Sequence, residues 1–336
     1  MKMLSFSRRV LLAAAALFPL AWSAPGLAQV TLLNVSYDVS REFYKDYNAA
    51  FAKHWKATAG EDIKLNQSHG GSSKQARAVI DGLDADVLTM NQALDIDMVA
   101  DKGLIAADWA KRLPNGAAPT SSITVIMVRK GNPKGIKDWS DLASPGVSVV
   151  IPNPKITGNG RYTYLAVWGS VIKAGGTPAQ ARDLVQKVFA NVPVFDGGGR
   201  AATTTFAQRK IGDALVTFES EVQSIVEEFG KDYDLVYPKS TILAENPVAV
   251  VDKVVDRKGT RKQADAYLKW LWSDEAQAIA VKHNLRPRND KLLSQHAKNF
   301  PKVATFTVDE VFGGWRKAQA EHFNDGGVFD QIAQRR

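Results

Sequence analysis

The sequence contains no cysteine among its 336 residues, which excludes disulfide bonds, thiolate catalysis and cysteine-based metal sites. The five histidines are scattered, and no two of them have the spacing of a zinc site. No nucleophile elbow, phosphate-binding Walker loop or dinucleotide-binding glycine motif follows a predicted strand. We therefore predict no catalytic residue, no metal site and no cofactor.

Beyond its N-terminal segment, the sequence also lacks an apolar run long enough to span a membrane. Residues 1–28 carry three basic residues, no acidic residue and an apolar run from Val10 to Leu20. Gly26 and Ala28 supply small residues at the spacing of a signal-peptidase site and complete the pattern of a cleaved signal peptide. Adjacent arginines at positions 8 and 9 leave export by the Sec or the Tat route open. We therefore predict a periplasmic protein.

The chain has only a mild excess of positive charge, which falls from +8 to +5 when the three basic residues of the leader are removed. Such an excess favours anionic ligands without identifying one. The basic residues are not interleaved with aromatic residues along one face, so we predict no nucleic-acid partner.

Strands and helices alternate along the chain from residue 30 onward, beginning with a β-α-β-α-β pattern. This order predicts an α/β fold with parallel sheets and helical crossovers. A length of 336 residues suits about two domains, and the β-branched strand at 122–129 marks a crossing between two lobes. We predict lobe one at residues 29–122, lobe two at 123–221, and a return to lobe one at 222–336 with the C-terminal helices.

Four predicted strand-to-helix turns, at Asp38, Ser72, Thr157-Gly158-Asn159 and Gly199, carry small or glycine residues. At the second turn, Ser72 and Gln75 have the spacing of a capping box. Such turns lie at the carboxyl ends of strands in a parallel sheet, and the first N–H groups of each helix attract anions. Two facing lobes would bring several helix N-termini onto one enclosed anion.

Charged and titratable residues near these turns have two interpretations. Lys74, Lys155, Arg161 and Arg200 would bind the anion directly or, as is more common, serve as surface or supporting charges. His69 would act as a base or, as we favour, hydrogen-bond the turn. A periplasmic ester hydrolase and an interaction protein without a small ligand are the alternatives from other functional classes.

Five sequence runs occur in one order along nearly all of the mature chain: Leu33–Asp38, Gln67–Ser72, Gly199–Phe206, Leu243–Asp252 and Asn284–Arg288. With these runs the chain resembles the periplasmic sulfate-binding proteins of ABC importers, a family that includes thiosulfate binders. The resemblance implies the type II periplasmic-binding-protein fold, with two lobes hinged around a cleft, each a mainly parallel sheet flanked by helices. It implies a monomeric receptor, not an enzyme, that delivers sulfate, or alternatively thiosulfate, to a membrane permease driven by an ATPase.

The resemblance also implies which residues bind the anion. Backbone N–H ligands fall at Asp38, Ser72, Gly158, Asn159 and Gly199. A hydroxyl donor falls at Thr157. Asn159 replaces a glycine of the family pattern, and Phe218 stands where the best-known members place a tryptophan whose indole N–H binds the anion. Phenylalanine cannot make that contact.

A pocket made of donors suits fully ionised sulfate, whereas phosphate keeps a proton that needs an acceptor. The preference for sulfate over phosphate therefore requires the Asp38 carboxylate to point away from the cleft.

Overall fold

The computed structural model describes residues 29–334, so the predicted signal peptide lies outside the described residues. Its strands are β1 (Val30–Tyr37), β2 (Ile63–Gly70), β3 (Val87–Thr89), β4 (Thr120–Arg129), β5 (Val149–Pro152), β6 (Phe195–Asp196), β7 (Ala214–Phe218), β8 (Tyr233–Val236), β9 (Ser240–Asn246), β10 (Val248–Val250), β11 (Arg286–Pro287) and β12 (Ala304–Phe306).

The helices are α1 (Arg41–Ala59), α2 (Ser72–Ile80), α3 (Ala93–Ala100), α4 (Pro114–Ala117), α5 (Gly158–Lys173), α6 (Pro178–Ala190), α7 (Gly199–Thr203), α8 (Glu219–Phe229), α9 (Asp252–Lys258), α10 (Arg261–Trp270), α11 (Asp274–Lys282), α12 (Asp290–Gln295), α13 (Val308–Phe312), α14 (Trp315–Ala318) and α15 (Val328–Ala333). A 3₁₀ turn at Asp38–Ser40 leads into α1, and a π-helical segment at Thr204–Gln208 continues α7.

The first sheet has the strand order β10-β3-β1-β2, in which β1 pairs in parallel with both β2 and β3. Alternate residues of β1 enter different cores, with Leu32 packed beneath α1 and Val35 packed with α2 and α3. Helices thus cover both faces, as a parallel sheet requires. The carboxyl ends of β1 and β2, which lead into the turns at Asp38 and Ser72, lie side by side because Tyr37 pairs with Gly70.

The second sheet runs β12-β9-β4-β7-β5-β6, with β8 and β11 also paired to β4. The pairs β5–β6, β5–β7 and β9–β12 are parallel, whereas the central strand β4 runs antiparallel to its neighbours. On β4, Ile126 and Val128 enter the main core of this lobe, and Met127 points to a smaller core on the other face. The two sheets with their own cores confirm the predicted two-lobed α/β fold.

Sheet membership departs from the predicted lobe ranges in the second half of the chain. The prediction returned residues 222–336 to lobe one, but β8, β9 and β12 pair within the second sheet. Phe312 and Phe329, from the C-terminal helices, also belong to the second lobe's core. Of these residues, only the stretch from β10 to Leu285 joins the first sheet and the core of its helices. The pairing therefore favours a second lobe that includes β8, β9 and the C-terminal helices.

None of the helices within residues 29–334 combines the length and the apolar composition that crossing a membrane requires.

Candidate anion-binding site

The N-terminal ends of four helical segments meet between the two lobes. Arg161 Nη1 on α5 donates to Ser73 Oγ on α2 at 3.2 Å, which joins one lobe to the other. A Cβ placed on Gly199 would lie 3.4 Å from Asn159 Nδ2, so α7 and α5 begin side by side. A cavity of about 500 Å³ separates the segment 37–43 from the starts of α7 and α8. The structure thus brings the four predicted turns together.

Each of these helices begins with N–H groups that precede its first intrahelical hydrogen bond. That first bond joins Gln75 N to Gly71 O in α2, Arg161 N to Thr157 O in α5, and Ala202 N to Gly198 O in α7. The N–H groups of Ser72, Gly158 and Gly199 therefore have no acceptor within their own helices. Together with the helix dipoles, such groups form a site for an anion.

Ser72 is not the helix cap that the sequence predicts. Gly71 occupies the cap position, and the Ser72 hydroxyl donates instead to Asp95 Oδ2. Gln75 bonds Ser68 rather than closing a capping box. The capping-box prediction is therefore wrong, because Ser72 is the first residue of α2 rather than its cap, and its hydroxyl donates to the buried Asp95 carboxylate. The backbone N–H of Ser72 remains in the first turn of α2.

Asp95 and Arg161 are buried opposite charges behind the helix starts. Asp95 is fully buried and accepts from Ser73 Oγ at 2.7 Å and Gln92 Nε2 at 2.8 Å. Arg161, 6% exposed, donates to Ser73 Oγ and to Lys155 O at 3.1 Å. Burial lowers the pKa of Arg161, and the negative charge of Asp95 opposes this shift. The two opposite charges thus stabilise each other across the α2–α5 contact, where Ser73 hydrogen-bonds to both.

The other cations near the turns have carboxylate partners or face solvent. Lys155 Nζ lies 3.1 Å from Asp325 and 3.0 Å from Asp330. Arg200 lies 3.4 Å from Glu228 and is largely exposed, and Lys74 is exposed. The predicted role as surface or supporting charges is the one the structure favours.

Thr157 caps α5. Its hydroxyl accepts from Gly160 N at 3.0 Å and donates its single hydrogen to Asn153 O at 2.8 Å. The hydroxyl donor expected for the anion is therefore engaged within the protein. The helix consequently starts at Gly158, because Thr157 supplies the cap.

Replacing Thr157 by valine should lower the free energy of unfolding by about 1–2 kcal/mol, because the cap is lost without a change in volume. Urea denaturation would measure the loss. Thr157→Ser, which keeps the hydroxyl, is the control and should retain most of the stability. Equal stability of Thr157→Val and the wild-type protein would contradict the capping role.

The glycines beside Thr157 lie where side chains would collide with neighbours. A Cβ on Gly160 would lie 2.4 Å from Pro152 O, and one on Gly158 would lie 2.6 Å from Asn91 Oδ1. Asn159 lies in α5 without a positive φ, so its backbone conformation does not require a glycine. Its side chain is 5% exposed and lies beside Gly199.

Phe218 ends β7 immediately before α8 and is 4% exposed. Its ring packs edge-on against Tyr162, with 5.6 Å between ring centroids, as part of the second lobe's core. It carries no donor, and it is not among the residues that line the 500 Å³ cavity.

Asp38 and His69 are placed at the rim of the first lobe. The Asp38 carboxylate is 46% exposed and lies 3.5 Å from Arg41, at the edge of the cavity on the side of the first lobe. His69 Nδ1 bonds Tyr37 O at 3.0 Å, and its Nε2 bonds Gln67 Oε1 at 2.6 Å. Burial lowers the pKa of His69. These bonds match the predicted role of His69 in holding the turn.

The sequence analysis missed Glu221, which lines the cavity from the first turn of α8. Its carboxyl group is buried, and burial raises its pKa to about 7, against smaller opposing effects of Thr217 and Asn159. An acidic residue three positions beyond the end of a predicted strand was the available signal. Within residues 29–334, no three His, Asp or Glu side chains are grouped so that they could hold a metal ion.

Comparison with known proteins gives consistent relatives. The sequence matches the family described as bacterial extracellular solute-binding protein over residues 33–286. It is 61% identical over 315 residues to the thiosulfate-binding protein of Pseudomonas aeruginosa, which covers 93% of this chain and 95% of that protein. It is 50% identical over 320 residues to the sulfate-binding protein of Escherichia coli, with coverages of 95% and 97%. The structure of the sulfate-binding protein SubI of Mycobacterium tuberculosis superposes with a TM-score of 0.77 at 28% identity, covering 87% of this chain and 99% of that one.

Proposed function

Because the chain belongs to the family of bacterial extracellular solute-binding proteins, we propose that it is a receptor that binds sulfate between its lobes. The observation that carries this proposal is that four strand-to-helix turns lie close together, with the first N–H groups of α2, α5 and α7 preceding the first hydrogen bond of each helix. The family and its named relatives are binding proteins, not enzymes. Turnover of chromogenic sulfate or phosphate esters by the pure protein would contradict this.

Backbone N–H groups are the proposed ligands of the anion. They come from Asp38, Ser72, Gly158, Asn159 and Gly199. Hydrogen bonds from these groups to a charged oxygen are stronger than bonds between neutral groups. Thr157 joins this set only if its hydroxyl gives up its hydrogen bond to Asn153 O, and Phe218 contributes no donor.

Sulfate is preferred over phosphate in this proposal because the Asp38 carboxylate pairs with Arg41 at the surface. Asp38→Asn should therefore change sulfate affinity by no more than about fivefold, the range expected for an exposed ion pair. Isothermal titration calorimetry at neutral pH would measure it. A much larger change, or a gain of phosphate binding, would place the carboxylate at the ligand.

Thiosulfate is the second candidate ligand, favoured by the 61% identity to a protein named for it. Its terminal sulfur is a weak hydrogen-bond acceptor. A site in which Phe218 provides no donor therefore loses less with thiosulfate than with sulfate.

The proposed function is tested by titrating dialysed protein with sulfate, thiosulfate, molybdate and phosphate in a sulfate-free, low-salt buffer. Tight one-to-one binding of sulfate with weak binding of phosphate supports the proposal. Preference for thiosulfate would reassign the ligand, and preference for phosphate would contradict a pocket of donors.

The proposal extends to the transport system. The receptor, as a monomer in the periplasm after export through the leader at residues 1–28, delivers the anion to the permease of an ABC importer. Stimulation of the permease-associated ATPase by the ligand-loaded receptor, and not by the free receptor, would test this delivery.

A further inference from the structure

Glu221, Asn159 and Gly199 lie against one another at the candidate site. Glu221 is 6% exposed and Asn159 is 5% exposed. A Cβ placed on Gly199 would lie 3.5 and 3.6 Å from the two carboxyl oxygens of Glu221, and 3.4 Å from Asn159 Nδ2. The carboxyl group and the amide therefore face the same point in front of the Gly199 backbone.

Both side chains leave a buried polar atom unpartnered. Glu221 Oε1 and Asn159 Nδ2 are closed off from solvent, and within residues 29–334 neither makes a hydrogen bond of normal geometry, although the amide lies near enough to the carboxyl group to lower its pKa. Buried polar atoms are nearly always satisfied in native structures, so these two atoms are satisfied either by closing on each other or by a shared ligand. An oxyanion oxygen placed there would accept from the Asn159 amide.

No cation neutralises Glu221 from the elements packed around it. Asp38 and Arg41 pair with each other at the surface, and Arg200 pairs with Glu228. The remaining groups also have other partners. Tyr37 donates to Asn246, and Asp196 accepts from Thr205. Glu219 pairs with Arg286, and Arg161 faces Asp95. An ionised Glu221 would therefore repel a dianion without compensation.

We propose that Glu221 is a specificity-determining residue that faces the oxyanion as the neutral acid and donates its O–H to one anion oxygen. This role rests on the proposed function. When Glu221 is ionised in the free protein, it takes one proton from solvent as the anion enters, and that proton stays on the carboxyl group. A fully ionised oxyanion then meets donors only. The ionised form would instead accept the proton of a partly protonated oxyanion such as hydrogen phosphate.

Proton uptake on binding is the direct test. Sulfate is titrated calorimetrically into wild-type protein at pH 5.5, 7.0 and 8.5, each in two sulfate-free buffers of different ionisation enthalpy. Because the pKa of Glu221 is raised to about 7, we expect little proton uptake at pH 5.5 and nearly one proton at pH 8.5. Below pH 7 the affinity should be constant, and above it the affinity should fall about tenfold per pH unit.

Glu221→Gln, with a permanent donor, should bind sulfate with affinity that does not change over this pH range and without proton uptake. Glu227→Gln, an exposed position on the same helix, is the matched control and should keep the wild-type proton uptake. Wild-type binding at pH 8.5 without proton uptake overturns the role of Glu221 and leaves the proposed function standing, even if Glu221→Gln does not fold. Failure of sulfate and thiosulfate to bind at every pH overturns the proposed function and this role together.

Discussion

Gly199→Ala is expected to weaken sulfate binding by about 10- to 150-fold while the protein stays folded. The added Cβ would meet Asn159 and Glu221 at 3.4 Å or more, which is ordinary contact that the free protein tolerates. The same methyl group would stand in the space where an anion accepts from the Gly199 N–H. Loss of one hydrogen bond to a charged group corresponds to roughly 1.5–3 kcal/mol, which gives this range of affinities.

Calorimetric titration of Gly199→Ala, with thermal unfolding to confirm the fold, measures the effect. Gly197→Ala is the matched control in the same turn, because its Cβ would have no neighbour within 4 Å. The control should bind sulfate like the wild-type protein. A folded Gly199→Ala variant with wild-type affinity would remove Gly199 from the site.

Arg286→Met is expected to lower the free energy of unfolding by about 3–5 kcal/mol, because it leaves the buried Glu219 carboxylate without a cationic partner. Arg286 donates to the two carboxyl oxygens of Glu219 at 2.6 and 2.8 Å, and also to Pro301 O at 3.0 Å. The side chains are 12% and 4% exposed, so neither charge has water as an alternative partner. Burial raises the pKa of Glu219 even with the arginine present.

The same pair predicts how the loss depends on pH. Without Arg286, the folded-state pKa of Glu219 rises further above its unfolded value. A carboxyl group with a raised pKa destabilises the fold above that unfolded value, and the penalty shrinks as falling pH protonates it. The stability deficit of Arg286→Met should therefore be larger at pH 8 than at pH 5.

Urea denaturation at both pH values tests this prediction. Arg288→Met is the matched control, because Arg288 pairs with the more exposed Glu245, whose side chain is 39% accessible. Its deficit should be smaller and should vary less with pH. Equal losses of unfolding free energy in the two variants would show that burial of the Glu219–Arg286 pair does not determine the size of the loss.

The strand-to-helix turns of this protein are predictable from sequence because their signals are local. Glycines beside Ser72, beside Thr157 and at Gly199 mark chain reversals, and each is followed by a helical pattern. Since consecutive parallel strands end at the same sheet edge, the convergence of the turns follows from the fold class. The residues that bind through their backbone could therefore be proposed without coordinates.

Features that depend on distant partners could not be predicted. Ser72 has the local pattern of a helix cap, but Asp95, 23 residues away, takes its hydroxyl. The sequence suggests Asp38 as a carboxylate near the site, and the structure adds Glu221, which lines the same cavity and is buried. The face of α8 that turns inward is set by packing against β4 and β7 of the second lobe, which local spacing in the sequence does not reveal. Likewise, the pairing of β9 with β4 depends on a partner more than 100 residues earlier.

Nuclear magnetic resonance of protein labelled with ¹⁵N-glycine and ¹⁵N-arginine would test most directly whether backbone N–H groups hold the anion. On addition of sulfate, the account predicts downfield shifts of the Gly158 and Gly199 amide protons. The amide of Gly259, at the end of α9, and the guanidinium of Arg200 should stay unchanged. Unchanged Gly158 and Gly199 amides, with a shifted Arg200 guanidinium, would contradict the account and make the site cationic.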